Sequence, residues 1–136
     1  MSKSKMPAKL TPVHCIVFPL LTIAVLDGFT ETEREDLVNT VLTLGGDDGM
    51  FSMTTDLAIQ SFGETMDWFT SMQYKEALPT AIQCCNTIHK QVTKEETRAA
   101  IIGFMMDTVN ADGKVSEDEK TLVGMFATVV LNGIKG

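Results

Sequence analysis

The sequence is short of the residues on which most recognisable chemistry depends: it has two histidines, three cysteines, one tryptophan and one tyrosine. With so few imidazoles, general-base chemistry would fall mainly to carboxylates. No Gly-x-Ser-x-Gly elbow, phosphate-cradling glycine loop or His-Glu-x-x-His pair occurs, so the signatures of serine hydrolases, P-loop enzymes and zinc proteases are missing. Three thiols cannot all pair within the chain, and Cys84 and Cys85 are adjacent. That pattern argues against a disulfide framework and predicts a reducing, cytoplasmic setting. Basic residues are also scarce, with 11 Lys and Arg against 18 Asp and Glu for a formal charge of −7. The lysines form no stripe able to neutralise phosphates, which argues against a nucleic-acid partner. Nor is there an apolar run long enough for a membrane span, which takes ~20 residues. The stretch 13–26 has 14 residues, includes His14 and Pro19, and runs into Asp27 without a small-residue cleavage pattern. It therefore reads as a buried helix, neither a span nor a signal peptide.

Strand-like alternation is absent as well, and what remains reads as helix throughout. At 136 residues and 44% apolar content, the chain has enough apolar surface for one core. Residues 10–136 are read as one all-helical domain behind a tail, 1–9, that carries Lys3, Lys5 and Lys9. Thr11-Pro12 predicts a helix start, with a capping hydroxyl and proline at the first helical position. This first helix is expected to reach Asp27-Gly28 and to bend at Pro19. A capping box at Thr30 and Glu33 opens a second helix to about Leu44, and 45–49 reads as a loop. Thr54 or Thr55 caps a third helix, with Gly63 as a point of division. A fourth helical stretch runs from about Gln73 to Val92 with Pro79 near its beginning. Thr93 and Glu96 predict a capping box for the fifth helix, and Ser116 and Glu119 one for the sixth. That last helix should stop at Asn132-Gly133.

Two of these helical pairs repeat each other. "LLTIAVLDGFTETEREDLV" (20–38) lies over "MMDTVNADGKVSEDEKTLV" (105–123) with one residue deleted after the first Asp-Gly. Each copy is an apolar helix, an Asp-Gly corner, a Ser or Thr cap, a glutamate and a second apolar helix. Asp27 answers to Asp112 and Glu33 to Glu119, so duplication predicts a bundle with an internal pseudo-twofold repeat.

The second copy resembles the Ala-Asp-Gly-(two residues)-(Ser/Asp)-x-x-Glu signature of the TerB-like domain, found in bacterial tellurite-resistance proteins and their relatives. The duplicated helical pattern across most of 10–133 is similar to that family too. The resemblance implies an all-helical bundle of about seven helices whose acidic motif residues hold divalent metal. It also implies a stress-response or scaffold module, with other stress-response proteins or further copies of itself as partners. The first copy departs from the signature: it lacks the alanine before Asp27 and is one residue short, which implies a weaker first site.

The residues themselves leave alternatives open. Read as an EF-hand loop from Thr108, the stretch puts Asn110 third, Asp112 fifth, Gly113 sixth and Glu119 twelfth, but offers a neutral hydroxyl where calcium wants an anchoring carboxylate. Read as local structure only, Asp112-Gly113 makes a turn, Glu119 closes a capping box, and Glu117 and Asp118 favour the positive helix end. The metal reading adds Asp107, which brings a further carboxylate toward the same loop. The candidate ligands are thus Asp27, Glu33, Asp107, Asp112 and Glu119, hard oxygen donors suited to Ca²⁺, Mg²⁺ or Mn²⁺. A hydrolase using such paired acids around Mg²⁺ is the catalytic alternative. A soft site is a further one, because Cys85 and His89 share a helix face and His14-Cys15 lies in another helix. For these residues, and for the nine methionines, simple packing is the stronger account.

Overall fold

The computed structural model describes residues 10–25, 31–44, 54–110 and 117–133. Within α2 and at the end of α5 it gives only the backbone for Thr32, Glu33, Asp36, Leu44 and 108–110. The described residues form six helices and no strand: α1 Pro12–Ala24, α2 Glu31–Leu44, α3 Thr55–Thr70, α4 Tyr74–Gln91, α5 Glu95–Asn110 and α6 Glu117–Asn132. The expected all-α class is therefore observed. The tail 1–9, the loop 45–49, the Asp27-Gly28 and Asp112-Gly113 corners and the caps Thr30 and Ser116 lie outside the described residues.

Helix α1 is the centre of the bundle and packs against all five other helices. Its composition dictates that position, because an apolar helix with no charged face can satisfy its surface only by being surrounded. All but the first of its residues are buried. Phe18 anchors the packing against α3, with its ring 4.5 Å from that of Trp68 and 5.4 Å from that of Phe69, both tilted away from parallel. The two repeated pairs meet reciprocally: α1 packs on α5, α1 on α6, and α2 on α5. An exchange of the α1–α2 pair with the α5–α6 pair would produce these contacts. The copies differ in burial, since α1 is enclosed while Met106 and Asp107 of α5 face solvent.

Several local expectations are refined by the structure. Helix α3 runs through Gly63 without a break, because an exposed glycine lowers helix propensity but removes no backbone bond. Pro79 sits six residues into α4, one of two prolines within continuous helices, the other being Pro19 of α1. The first backbone bond of α5 runs from Arg98 N to the Lys94 carbonyl, which makes Lys94 the cap residue where Thr93 was expected. Helix α1 reaches its cap at Val25, short of the Asp27-Gly28 corner. At the other end of the chain, Gly133 stops α6 as expected: its φ is +74° and its N–H donates to the Val129 carbonyl at 2.7 Å.

Candidate metal corners and the polar contacts around them

Each candidate corner lies between two helices, and the helix that leaves it carries a glutamate as third residue. In α2 that residue is Glu33, and in α6 it is Glu119. The helix starts at Glu31 and Glu117 therefore preserve the correspondence drawn from the repeat, despite the residue missing from the first corner. The two acids before Glu119 are exposed, but Glu119 is only 4% accessible. It belongs to the inward stripe of α6 with Leu122, Val123, Phe126 and Val130. Taking a carboxylate out of water is unfavourable without donors or a cation to compensate, and Glu119 does have polar or electrostatic contacts.

Asp107 is exposed on α5, which packs against α6. Glu33 is placed by its backbone only, and Asp27 and Asp112 lie outside the described residues. Among the described residues no three His, Cys, Asp or Glu side chains converge on a common point as metal ligands would. Three of the five candidate ligands contribute no side chain to that comparison.

One side chain is linked to two of the helices next to the corners, α1 and α6. Tyr74, the first residue of α4, donates its hydroxyl to the Thr22 carbonyl near the end of α1 across 3.2 Å. Burial, together with the negative charge of Asp118 in the first turn of α6, holds the phenol above its ordinary pKa. One residue thus touches the helix leading into the first corner and feels the helix leaving the second. Sequence reasoning missed this link because a tyrosine 52 positions from Thr22 gives no local signal.

A second polar centre joins α1 to α3. Nδ1 of His14 accepts the Thr11 backbone N–H at 2.8 Å, which makes Nε2 the protonated nitrogen of the neutral ring. That nitrogen lies 2.9 Å from Oε1 of Glu64 and donates to it. Thr11 Oγ1 lies 2.9 Å from Nδ1, donates to Ser61 Oγ at 3.1 Å and accepts the His14 N–H at 3.4 Å. These contacts form a capping box in which histidine takes the place usually held by Glu or Gln. The Thr-Pro-x-His sequence carried that signal: a side-chain acceptor three residues after a capping threonine.

Of the two histidines in the soft-metal alternative, His14 has both ring nitrogens engaged and His89 has one. Nδ1 of His89 donates to the Val130 carbonyl at 3.0 Å, and His14 is held by Thr11 and Glu64. The cysteines do converge: Cys15 of α1 and Cys84 of α4 share a thiol hydrogen bond, and Cys85 is buried beside them. The Cys15 bond and burial hold the Cys84 thiol well above its ordinary range, and burial does the same for Cys85. Thiols held protonated in this way, as Cys84 and Cys85 are, make poor nucleophiles and poor ligands, whereas the bond with Cys84 lowers the pKa of the Cys15 thiol.

A shallow depression of about 290 Å³ follows the first corner and is lined by Glu31, Arg34, Glu35, Val38 and Asn39. No helix of the described residues is long and apolar enough to cross a membrane. Comparison of the chain with protein-family models, with curated proteins and with solved structures gives no match.

Proposed function

We propose that the chain is a small helical module that holds a divalent cation at its Asp-Gly corners and serves as a stress-response or scaffold component of the TerB-like, tellurite-resistance type. One observation carries the reading: Glu119, at the exit of the better-matched corner, is turned into the bundle at 4% exposure while its acidic neighbours Glu117 and Asp118 remain in solvent. Asp107, Asp112 and Glu119 would supply the oxygen ligands, with Asp27 and Glu33 as the weaker copy. Such donors suit Ca²⁺, Mg²⁺ or Mn²⁺, and a bound ion would draw the ends of neighbouring helices together. The resemblance of 105–123 to the TerB-like signature supports the same assignment from the sequence side.

A second reading has its own support. Because α6 begins at Glu117, Glu119 occupies the third helical position, where a glutamate can close a capping box without any metal. Elemental analysis of protein purified without chelator, followed by calorimetric titration of the stripped protein with each ion, separates the two. Saturable binding that is lost in Asp112→Asn supports the cation reading, and no binding of any of the three ions leaves the cap.

A further inference from the structure

The three cysteines are separated in sequence but gather where α1 packs on α4. All are free and buried, with Cys15 and Cys85 wholly enclosed and Cys84 3% exposed. The two helices are close for a reason visible in α4. Its buried residues are Ala77, Ala81, Cys84, Cys85 and Ile88, mostly small, and small side chains at a helix contact let the two backbones approach. The relative direction of the helices follows from two polar contacts. Tyr74, at the start of α4, reaches the Thr22 carbonyl near the end of α1. Further along α4, the Cys84 thiol is hydrogen-bonded to Cys15 near the start of α1. The helices therefore run antiparallel, with two thiols facing each other across the seam. Thiols already in contact on closely packed helices need little backbone movement to be joined.

We propose that Cys15 and Cys84 form an oxidisable pair, which a small hydroperoxide such as hydrogen peroxide converts to a disulfide that locks α1 to α4. Peroxide is the only oxidant the chemistry needs. The Cys15 sulfur, as thiolate, attacks one peroxide oxygen and the O–O bond breaks. The other oxygen leaves as water with the proton that Cys15 released, and Cys15 becomes a sulfenic acid. The Cys84 sulfur then attacks the Cys15 sulfur, the S–O bond breaks, and the hydroxyl leaves as water with the proton that Cys84 gives up. The two roles are unequal. The bond with Cys84 favours the Cys15 thiolate, which is the attacking form, while Cys84 keeps its proton beside that charge. Conversion of Cys15 to a neutral sulfenic acid removes the charge at the step where Cys84 must lose its proton. Cys85 is held protonated chiefly by burial and takes no part. Burial of the pair supplies selectivity, because the bundle must open locally before an oxidant enters, which favours a small uncharged molecule. The enclosed sulfenic acid also meets Cys84 before the thiol of any other chain. This inference does not use the corners and is independent of the cation reading.

The test is thiol counting by mass spectrometry on the full chain, treated while folded with excess hydrogen peroxide in the presence of chelator, quenched with catalase, then unfolded and alkylated. Reduced protein has three thiols to alkylate. The oxidised chain should retain one, weigh less by two hydrogens before alkylation, and yield a linked Cys15–Cys84 peptide pair on digestion. Dithiothreitol should restore all three thiols. The thermal midpoint of the oxidised chain should rise, because the bond closes a long loop in the unfolded chain. Cys15→Ala and Cys84→Ala should each abolish the cross-link within one chain, whereas Cys85→Ala should form it at the wild-type rate. Peptide mapping of wild type gives the answer even where an alanine variant fails to fold. Three thiols surviving native treatment, a bond that uses Cys85, disulfides only between chains, or loss of thiols to sulfinic acid without a cross-link would each overturn the proposal. A thermal midpoint left unchanged or lowered by the bond overturns it equally.

Discussion

Nε2 of His14 donates to Oε1 of Glu64 across 2.9 Å, joining the first turn of α1 to the middle of α3. The imidazole is 1% exposed and the carboxylate side chain 43%, so only one end of this bond is replaceable by water. Glu64→Gln should therefore cost little, since the amide oxygen still accepts. Glu64→Leu should cost about 1 kcal/mol, with water taking over part of the contact. His14→Leu removes the acceptor for the Thr11 amide as well and should cost about 1–3 kcal/mol. Urea unfolding checks this order, and a Glu64→Leu protein as stable as wild type would show that the bond contributes nothing.

Tyr74 gives a pH-dependent test that can be read directly, because it is the only tyrosine in the chain. Burial and then Asp118 raise its pKa in the folded state, so the folded protein keeps the phenolic proton to higher pH than the unfolded chain does. The associated stability is complete below the ordinary value near 10 and is lost as pH rises through the folded-state value. Tyrosinate absorbance in the native protein should thus titrate above pH 10, and Asp118→Asn should move the midpoint part of the way back. Tyr74→Phe should lose about 0.5–1.5 kcal/mol at neutral pH by giving up the bond to the Thr22 carbonyl. A native titration at or below the ordinary value would contradict this placement of Tyr74.

Two glycines should respond to alanine with opposite signs. Gly63 is exposed within α3 and a Cβ there meets nothing within 4 Å, so Gly63→Ala should stabilise by up to about 1 kcal/mol through helix propensity. Gly133 has φ +74°, and a Cβ there would stand 2.7 Å from Cδ2 of His89. Gly133→Ala should destabilise by at least about 1–2 kcal/mol, before any cost of moving the imidazole. Thermal or urea unfolding that gives both variants the same sign would show that the end of α6 is not held as described.

What the sequence revealed and what it concealed divide along the range of the interaction. Thr11-Pro12, Thr54 and Gly133 are signals within one helical turn, and the helices start or stop where they indicate. The all-round apolar character of 13–26 likewise identified a surrounded helix, now seen at the bundle centre. His14 was read as a packing residue because its capping role is local but uses an unusual side chain, and because Glu64 is 50 positions away. The convergence of Cys15 with Cys84 and Cys85 depends on how α1 crosses α4, which no spacing encodes. Among the candidate ligands, the repeat placed Glu33 and Glu119 at equivalent helical positions. Periodicity also puts Glu119 on the face of α6 shared with Leu122, Val123 and Phe126, but a cap and a ligand use that position alike.

The central claim is that Glu119 serves a cation and not only the start of α6. The most direct measurement compares thermal midpoints of wild type and Glu119→Gln, each with chelator and with excess Ca²⁺, Mg²⁺ or Mn²⁺. A ligand stabilises by mass action when it binds the folded state, by ~2.7 kcal/mol at a hundredfold excess over its Kd. Glutamine can still close the capping box but removes a negative oxygen from the ion. At least one ion should raise the wild-type midpoint, and Glu119→Gln should lose most of that rise while remaining folded in chelator. Wild-type midpoints that are the same with every ion as with chelator would contradict the claim and leave Glu119 as a helix cap.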